Sequence, residues 1–175
     1  MPRLFVFGLG YAALALSRLM LREGWEVAGT FRTDAARKTL ADAGIQPLFF
    51  DGVEPMRAGA LDGATHLLAS IPPSPDDVAL RHHAKDIAEA PTLAWTGYLS
   101  TTSVYGVRDG SEVDETTPCR PGSERGMRRL SAERAWLALP RPAEIFRLSG
   151  IYGPGRSVFD SIRARRADRI IKQGQ

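Results

Sequence analysis

The chain has 175 residues, 43% of them hydrophobic, and a formal net charge of +3, which suits one globular domain with a real core and hardly two. Acidic and basic residues are mixed along it, so the mild basicity does not single out a nucleic-acid partner, and no apolar run reaches the ~18 residues that cross a bilayer. Cys119 is the one cysteine; it can form no intrachain disulfide and has no metal-ligand neighbours, which points to a reducing cytoplasm.

Arg3–Phe7 is a short apolar run that reads as a buried strand, and it leads straight into Gly8-Leu9-Gly10-Tyr11-Ala12-Ala13. This is a G-x-G-x-x-A pattern opening an apolar-periodic helix over Tyr11–Arg22, which Gly24 stops. Strand, glycine turn and helix in that order bind a dinucleotide: Gly8 permits the tight turn, Gly10 lets a pyrophosphate approach the backbone, and Ala13 keeps the helix close to the sheet. The helix N-terminus offers free amides and a positive dipole end to the phosphates. The basic-then-apolar start also has the look of a short signal peptide, but the glycine spacing fits a folded element better and cleavage there would delete the motif.

The remaining elements follow in alternation. Glu26–Phe31 is a second strand and Thr33–Ala43 a helix with Thr33 as N-cap and Gly44 as stop. Ile45–Phe50 is a strand, Pro55–Leu61 a short helix, Thr65–Ile71 a strand closed by Pro72-Pro73, Asp76–Ala90 a helix and Leu93–Ser100 a strand. Thr101–Pro121 is a long loop, Gly122–Leu139 a helix, Ala143–Leu148 a sixth strand and Ser157–Ala167 a helix, with Arg169–Ile171 starting another strand. Such βα alternation predicts an α/β fold, a doubly wound parallel sheet of the Rossmann type with helices on both faces. Ligands bind outside the carboxyl ends of such strands, where the glycine turn, Arg32, Asp51, Ser70, Thr101 and Ser149 all fall. His66, His82 and His83 have no metal spacing, and the adjacent pair reads as surface. Trp25, Trp95 and Trp136 read as packing anchors. The stretch Arg156–Lys172 holds six basic residues and two acids and reads as a solvated helix face rather than a nucleic-acid patch.

Tyr98-Leu99-Ser100-Thr101-Thr102-Ser103-Val104-Tyr105-Gly106 resembles the extended branch of the short-chain dehydrogenase/reductase family, the nucleoside-diphosphate-sugar epimerase and dehydratase group. Arg147-Leu148-Ser149-Gly150-Ile151-Tyr152-Gly153-Pro154-Gly155 is similar to that family's later Arg-x-x-x-x-Tyr-Gly-Pro-Gly segment, and Asp114-Glu115 with Pro118 to its acidic-then-proline loop. The resemblance implies that Thr101 orients the substrate oxygen. It also implies a Tyr-x-x-x-Lys pair on the next helix, the tyrosine as general acid/base and the lysine on the ribose. Here those positions hold Arg125 and Arg129, and none of the four tyrosines fits the pair. A guanidinium stays protonated and cannot shuttle a proton as a phenol can. Arg125 can instead bind an anion or polarise a carbonyl, and Arg129 can donate to ribose hydroxyls. Tyr105 either substitutes for the missing phenol or packs beside its loop. The pattern resembles the family's atypical members.

The cofactor stretch is Gly8, Leu9, Gly10, Tyr11, Ala12 and Ala13. After the second strand stands Arg32 instead of the carboxylate that selects NAD, so Arg32 with Thr30 and Thr33 predicts NADP over NAD, against the alternative of a solvated strand-end arginine. Asp51 resembles the family's adenine-contacting acid and equally suits a plain Asp-Gly turn. Ser70 and Ile71 line the adenosine side. The substrate is expected to be a small molecule, sugar nucleotides included, reacting at a carbonyl or hydroxyl; a non-catalytic dinucleotide-binding sensor is the rival. Only residues 157–175 follow the Gly-Pro-Gly, so the chain is expected to be the N-terminal part of a longer protein. The open sheet edge that results would favour association, homo-oligomers included.

Overall fold

The computed structural model describes residues 1–107 and 109–164, and of Ser161 only the backbone. The elements run β1 (Arg3–Phe7), α1 (Tyr11–Arg22), β2 (Glu26–Phe31), α2 (Asp34–Asp42), β3 (Gln46–Phe49) and β4 (His66–Ala69). Then follow α3 (Val78–Glu89), β5 (Trp95–Thr101), a 3-10 turn over Thr102–Val104, α4 (Glu124–Leu137), β6 (Glu144–Leu148) and α5 (Val158–Arg163). The six strands form one sheet in the order β3-β2-β1-β4-β5-β6, and every neighbouring pair is parallel. All carboxyl ends therefore share one edge of the sheet, and the chain reverses its direction of winding between β1 and β4, where a crevice opens.

Period-2 alternation along β1 builds both layers. Leu4 and Val6 join Ala13, Val27, Leu40, Ile45 and Leu68 under α1 and α2. Phe5 and Phe7 join Leu67, Ile87, Tyr98, Ala132 and Trp136 under α3 and α4. Both faces are buried, which explains why β1 is apolar from Leu4 to Phe7. Side-chain caps start the later helices: Thr33, Asp77, Ser123 and Ser157 each accept a backbone N–H of the first turn. Among the described residues no helix is long and apolar enough to cross a membrane.

The structure corrects several expectations. Residues 55–64 form turns and no helix; Gly59 and Gly63 both take positive φ, which breaks any helical run. The loop expected from Thr101 gives its first residue to β5 and continues as the 3-10 turn. His83, expected at the surface, is 1% exposed: its Nε2 accepts the Met56 N–H at 3.1 Å and its Nδ1 lies 2.8 Å from Asp86. α5 begins as expected at the Ser157 cap, whereas the rest of the Ser157–Ala167 helix beyond residue 164 and the Arg169–Ile171 strand lie outside the described residues. Trp136 is fully buried as an anchor, while Trp25 and Trp95 are partly buried against the core.

Candidate functional site

The glycine turn sits at the crevice. Gly8 has φ +81°, and a Cβ there would stand 2.7 Å from Cγ1 of Ile71, so no side chain fits between the end of β1 and the residues after β4. Ser70 donates its N–H to the Phe7 carbonyl at 2.8 Å, which fixes Ser70 and Ile71 against the turn. Gly10 caps α1 without a side-chain hydrogen bond. A Cβ on it would meet only the Ser70 hydroxyl, at 4.0 Å, so the space in front of the helix is open. Leu14 is the first residue to bond back, donating to the Gly10 carbonyl at 2.8 Å; among the described residues the amides of Tyr11, Ala12 and Ala13 are thus the unpaired ones of a helix start. Ala13 is buried against the sheet and Leu9 is partly buried in the same cluster. Leu9 occupies the space that any side chain at Gly29 would need, at 2.2 Å, a dependence that the sequence reading missed.

At the next two strand ends, Arg32 is exposed directly after β2 and, among the described residues, makes no ion pair. Thr30 is 5% exposed and its Oγ1 accepts the Gly8 N–H at 2.8 Å. It therefore braces the glycine turn from inside the sheet. The Thr33 hydroxyl caps α2. Asp51 is exposed, and its Oδ1 accepts the Val53 N–H at 2.9 Å in a turn. Arg81 and His82 of α3 both reach the Gly52 carbonyl, so the loop carrying Asp51 is tied down.

The region of the missing tyrosine lies between β5 and α4. Thr101 is half-buried at the end of β5, its Oγ1 accepting the Ser103 N–H at 3.3 Å. Arg125 is exposed on the first turn of α4. Arg129 is 7% exposed; its Nη1 donates to the Tyr98 hydroxyl at 3.0 Å and to the Leu99 carbonyl at 2.8 Å. Its Nη1 is thus held against β5, and burial pushes the Tyr98 phenol up to about 12. Tyr105 is buried, with its hydroxyl accepting from Nη1 of Arg147 at 2.9 Å and its ring under that guanidinium. The ring packs beside its loop. Arg147 in turn pairs with Glu133, Nη2 to Oε2 at 2.8 Å, and Ser100 donates to Glu133 Oε1. The Glu133 bonds hold the Arg147 guanidinium above the ordinary arginine value. Glu133 is 1% exposed. On the sequence it is one more helical glutamate, and only the charge inside the apolar β6 run hints at a partner.

No family model matches the chain, and no curated protein does. Solved structures do. A conserved protein of unknown function from Silicibacter pomeroyi is 44% identical, with a TM-score of 0.89, over 100% of this chain and 62% of that one. An NAD-dependent epimerase/dehydratase, described as putative, from Methylobacillus flagellatus is 28% identical, with a TM-score of 0.70, over 93% of this chain and 59% of that one. The UDP-glucuronic acid 4-epimerase of Bacillus cereus, in complex with NAD, shares the fold at 21% identity and a TM-score of 0.73, over 93% and 63% of the two chains. The chain thus spans about three fifths of the length of these structures. Sheet order, glycine turn and these likenesses agree: the chain shares the fold of these structures and is similar to an NAD-dependent epimerase/dehydratase.

Proposed function

We propose that this chain is the cofactor-binding part of a cytoplasmic, NADP-dependent oxidoreductase or epimerase-like enzyme. Its substrate would be small, a sugar nucleotide among the candidates, reacting at a carbonyl or hydroxyl. The observation that carries the reading is the open glycine turn. Gly10 leaves room in front of α1, Gly8 is shaped by its positive φ, and three unpaired amides face that space. A diphosphate fits such a turn, which supplies donors and a favourable dipole. Gly8, Gly10 and the Leu9–Ala13 backbone would hold it, with Ser70 and Ile71 as the opposite wall. Arg32, exposed where an NAD enzyme carries a carboxylate, would face a 2′-phosphate. Asp51 keeps one carboxylate oxygen outside its turn bond for the adenine. A bound nicotinamide supplies hydride chemistry, and the protein supplies geometry. Thr101 would orient the substrate oxygen and Arg125 would be the exposed electrostatic group.

A second reading, a non-catalytic dinucleotide sensor, is favoured by one observation. Arg125 stands where the tyrosine is expected and cannot shuttle a proton, and the Tyr105 hydroxyl is buried beside Arg147, so neither presents an exposed phenol for proton transfer, a step worth about 10²–10⁴ in rate. Calorimetric titration with NADPH and NADH, on the wild type and on Arg32→Ala, tests the binding. NADPH should bind more tightly than NADH, and Arg32→Ala should remove the preference; equal wild-type affinities would refute the Arg32 assignment. Turnover of NADPH with a panel of carbonyl compounds separates the enzyme from the sensor, for which tight binding without turnover is expected.

A further inference from the structure

We propose that Arg156 is a further binding residue of the glycine-turn site, a cation for the cofactor's diphosphate that the segment after β6 delivers; the inference rests on the dinucleotide reading above. Gly153 and Arg156 exchange backbone hydrogen bonds, Gly153 N–H to Arg156 O at 3.2 Å and Arg156 N–H to Gly153 O at 2.9 Å, and so close a tight turn. Tyr11, the first residue of α1, clasps that turn: its hydroxyl donates to the Pro154 carbonyl at 3.1 Å. A side chain at Gly153 (φ +156°) would put its Cβ 2.2 Å from the Tyr11 hydroxyl, so the clasp requires glycine there.

The clasp leaves the Arg156 guanidinium 5.5 Å from the centre of the Tyr11 ring. Arg156 is exposed, and among the described residues its side chain makes no hydrogen bond and no ion pair. Its one described partner is the face of a tyrosine on the first turn of a helix. That end of a helix carries partial positive charge and disfavours a cation. An anion lying on the α1 amides reverses the balance, because it attracts the dipole and the guanidinium together, and arginine offers it paired donors. The same geometry makes the Tyr11 side chain a positioning group, separate from its backbone amide in the turn.

The test uses two fragments of the cofactor on the full chain. ADP carries the diphosphate without a 2′-phosphate, and 2′-AMP carries the 2′-phosphate without a diphosphate. Arg156→Ala should weaken ADP and NADPH about tenfold, the size of one charge-assisted contact, and leave 2′-AMP within about twofold. Arg156→Lys should recover part of the ADP affinity. Tyr11→Phe, which keeps the ring and loses the hydroxyl, should weaken ADP less than Arg156→Ala and likewise spare 2′-AMP. Unchanged ADP affinity in Arg156→Ala overturns the proposal, as does an equal loss for both fragments. A wild type that binds neither fragment would bring down the dinucleotide reading, and this proposal with it.

Discussion

Glu133 is 1% exposed, with Ser100 on one oxygen and Arg147, itself 21% exposed at the side chain, across both. Removing Glu133 leaves the partly covered Arg147 guanidinium and the buried Ser100 hydroxyl without their acceptor, at a cost of about 1–3 kcal/mol. Glu133→Ala should therefore lose that much stability in urea unfolding, whereas a matched apolar pair, Glu133→Leu with Arg147→Met, should recover most of it. A loss below about 1 kcal/mol in Glu133→Ala would show that the pair is hydrated. The cost has a consequence for the site. Arg147 donates to the Tyr105 hydroxyl and rests on its ring, so Glu133 also fixes the loop that follows Thr101.

At the scale of elements, Asp77 joins two helices. Its Oδ1 caps α3 by accepting the Leu80 N–H, and its Oδ2 accepts the Trp136 indole N–H of α4 at 2.8 Å. Burial raises its carboxyl above the ordinary aspartate value, while the Trp136 bond works the other way. A raised folded-state pKa means that the folded chain holds the proton more tightly than the unfolded one. Asp77 therefore penalises folding most at neutral pH, and the penalty fades as pH falls through the interval between the two values. Trp136→Phe leaves Oδ2 without its donor, costing about 1–3 kcal/mol, and lets the carboxyl rise further. The stability gap between wild type and Trp136→Phe should narrow between pH 7 and pH 4. Asp109, Asp114 and Asp160, held low by their own serine and threonine hydrogen bonds, slope the other way but equally in both proteins. A gap that does not change with pH would leave Trp136 as packing alone.

Elements were legible in the sequence where the local pattern and the tertiary fold ask for the same thing. α1 and β2 have the boundaries that periodicity and Gly24 predict, because apolar spacing and burial coincide there. Residues 55–64 failed the same test: the apolar Met56, Ala60 and Leu61 are indeed buried, but in turns, with glycines deciding the backbone. His83 was illegible because its partners, the Met56 amide and the rings of Phe7 and Phe50, come from other elements. The same holds for Thr30, whose hydroxyl serves a residue 22 positions away, and for Arg129, whose helix spacing gives no hint that Tyr98 will receive it.

For the whole molecule, the crevice lies where β1 and β4 are neighbours and their chains leave in opposite directions. The Gly8 turn is held from the β2 side by Thr30 and from the β4 side by Ile71, so its amides are aligned only when the middle of the sheet is assembled. An unfolded chain offers no such array. A ligand that grips the turn must therefore stabilise the entire fold, by about 2.7 kcal/mol at a free concentration one hundred times its Kd. For a chain of this size each kcal/mol moves the melting temperature about 2–4 °C. NADPH should raise the melting temperature in proportion to the logarithm of its concentration. NADH at equal concentration should raise it less, and Arg32→Ala should bring the two curves together while keeping a shift, since the turn itself is intact. Equal shifts in the wild type would take Arg32 out of the site. The absence of any shift with either nucleotide would mean that the open space before α1 serves something other than a dinucleotide.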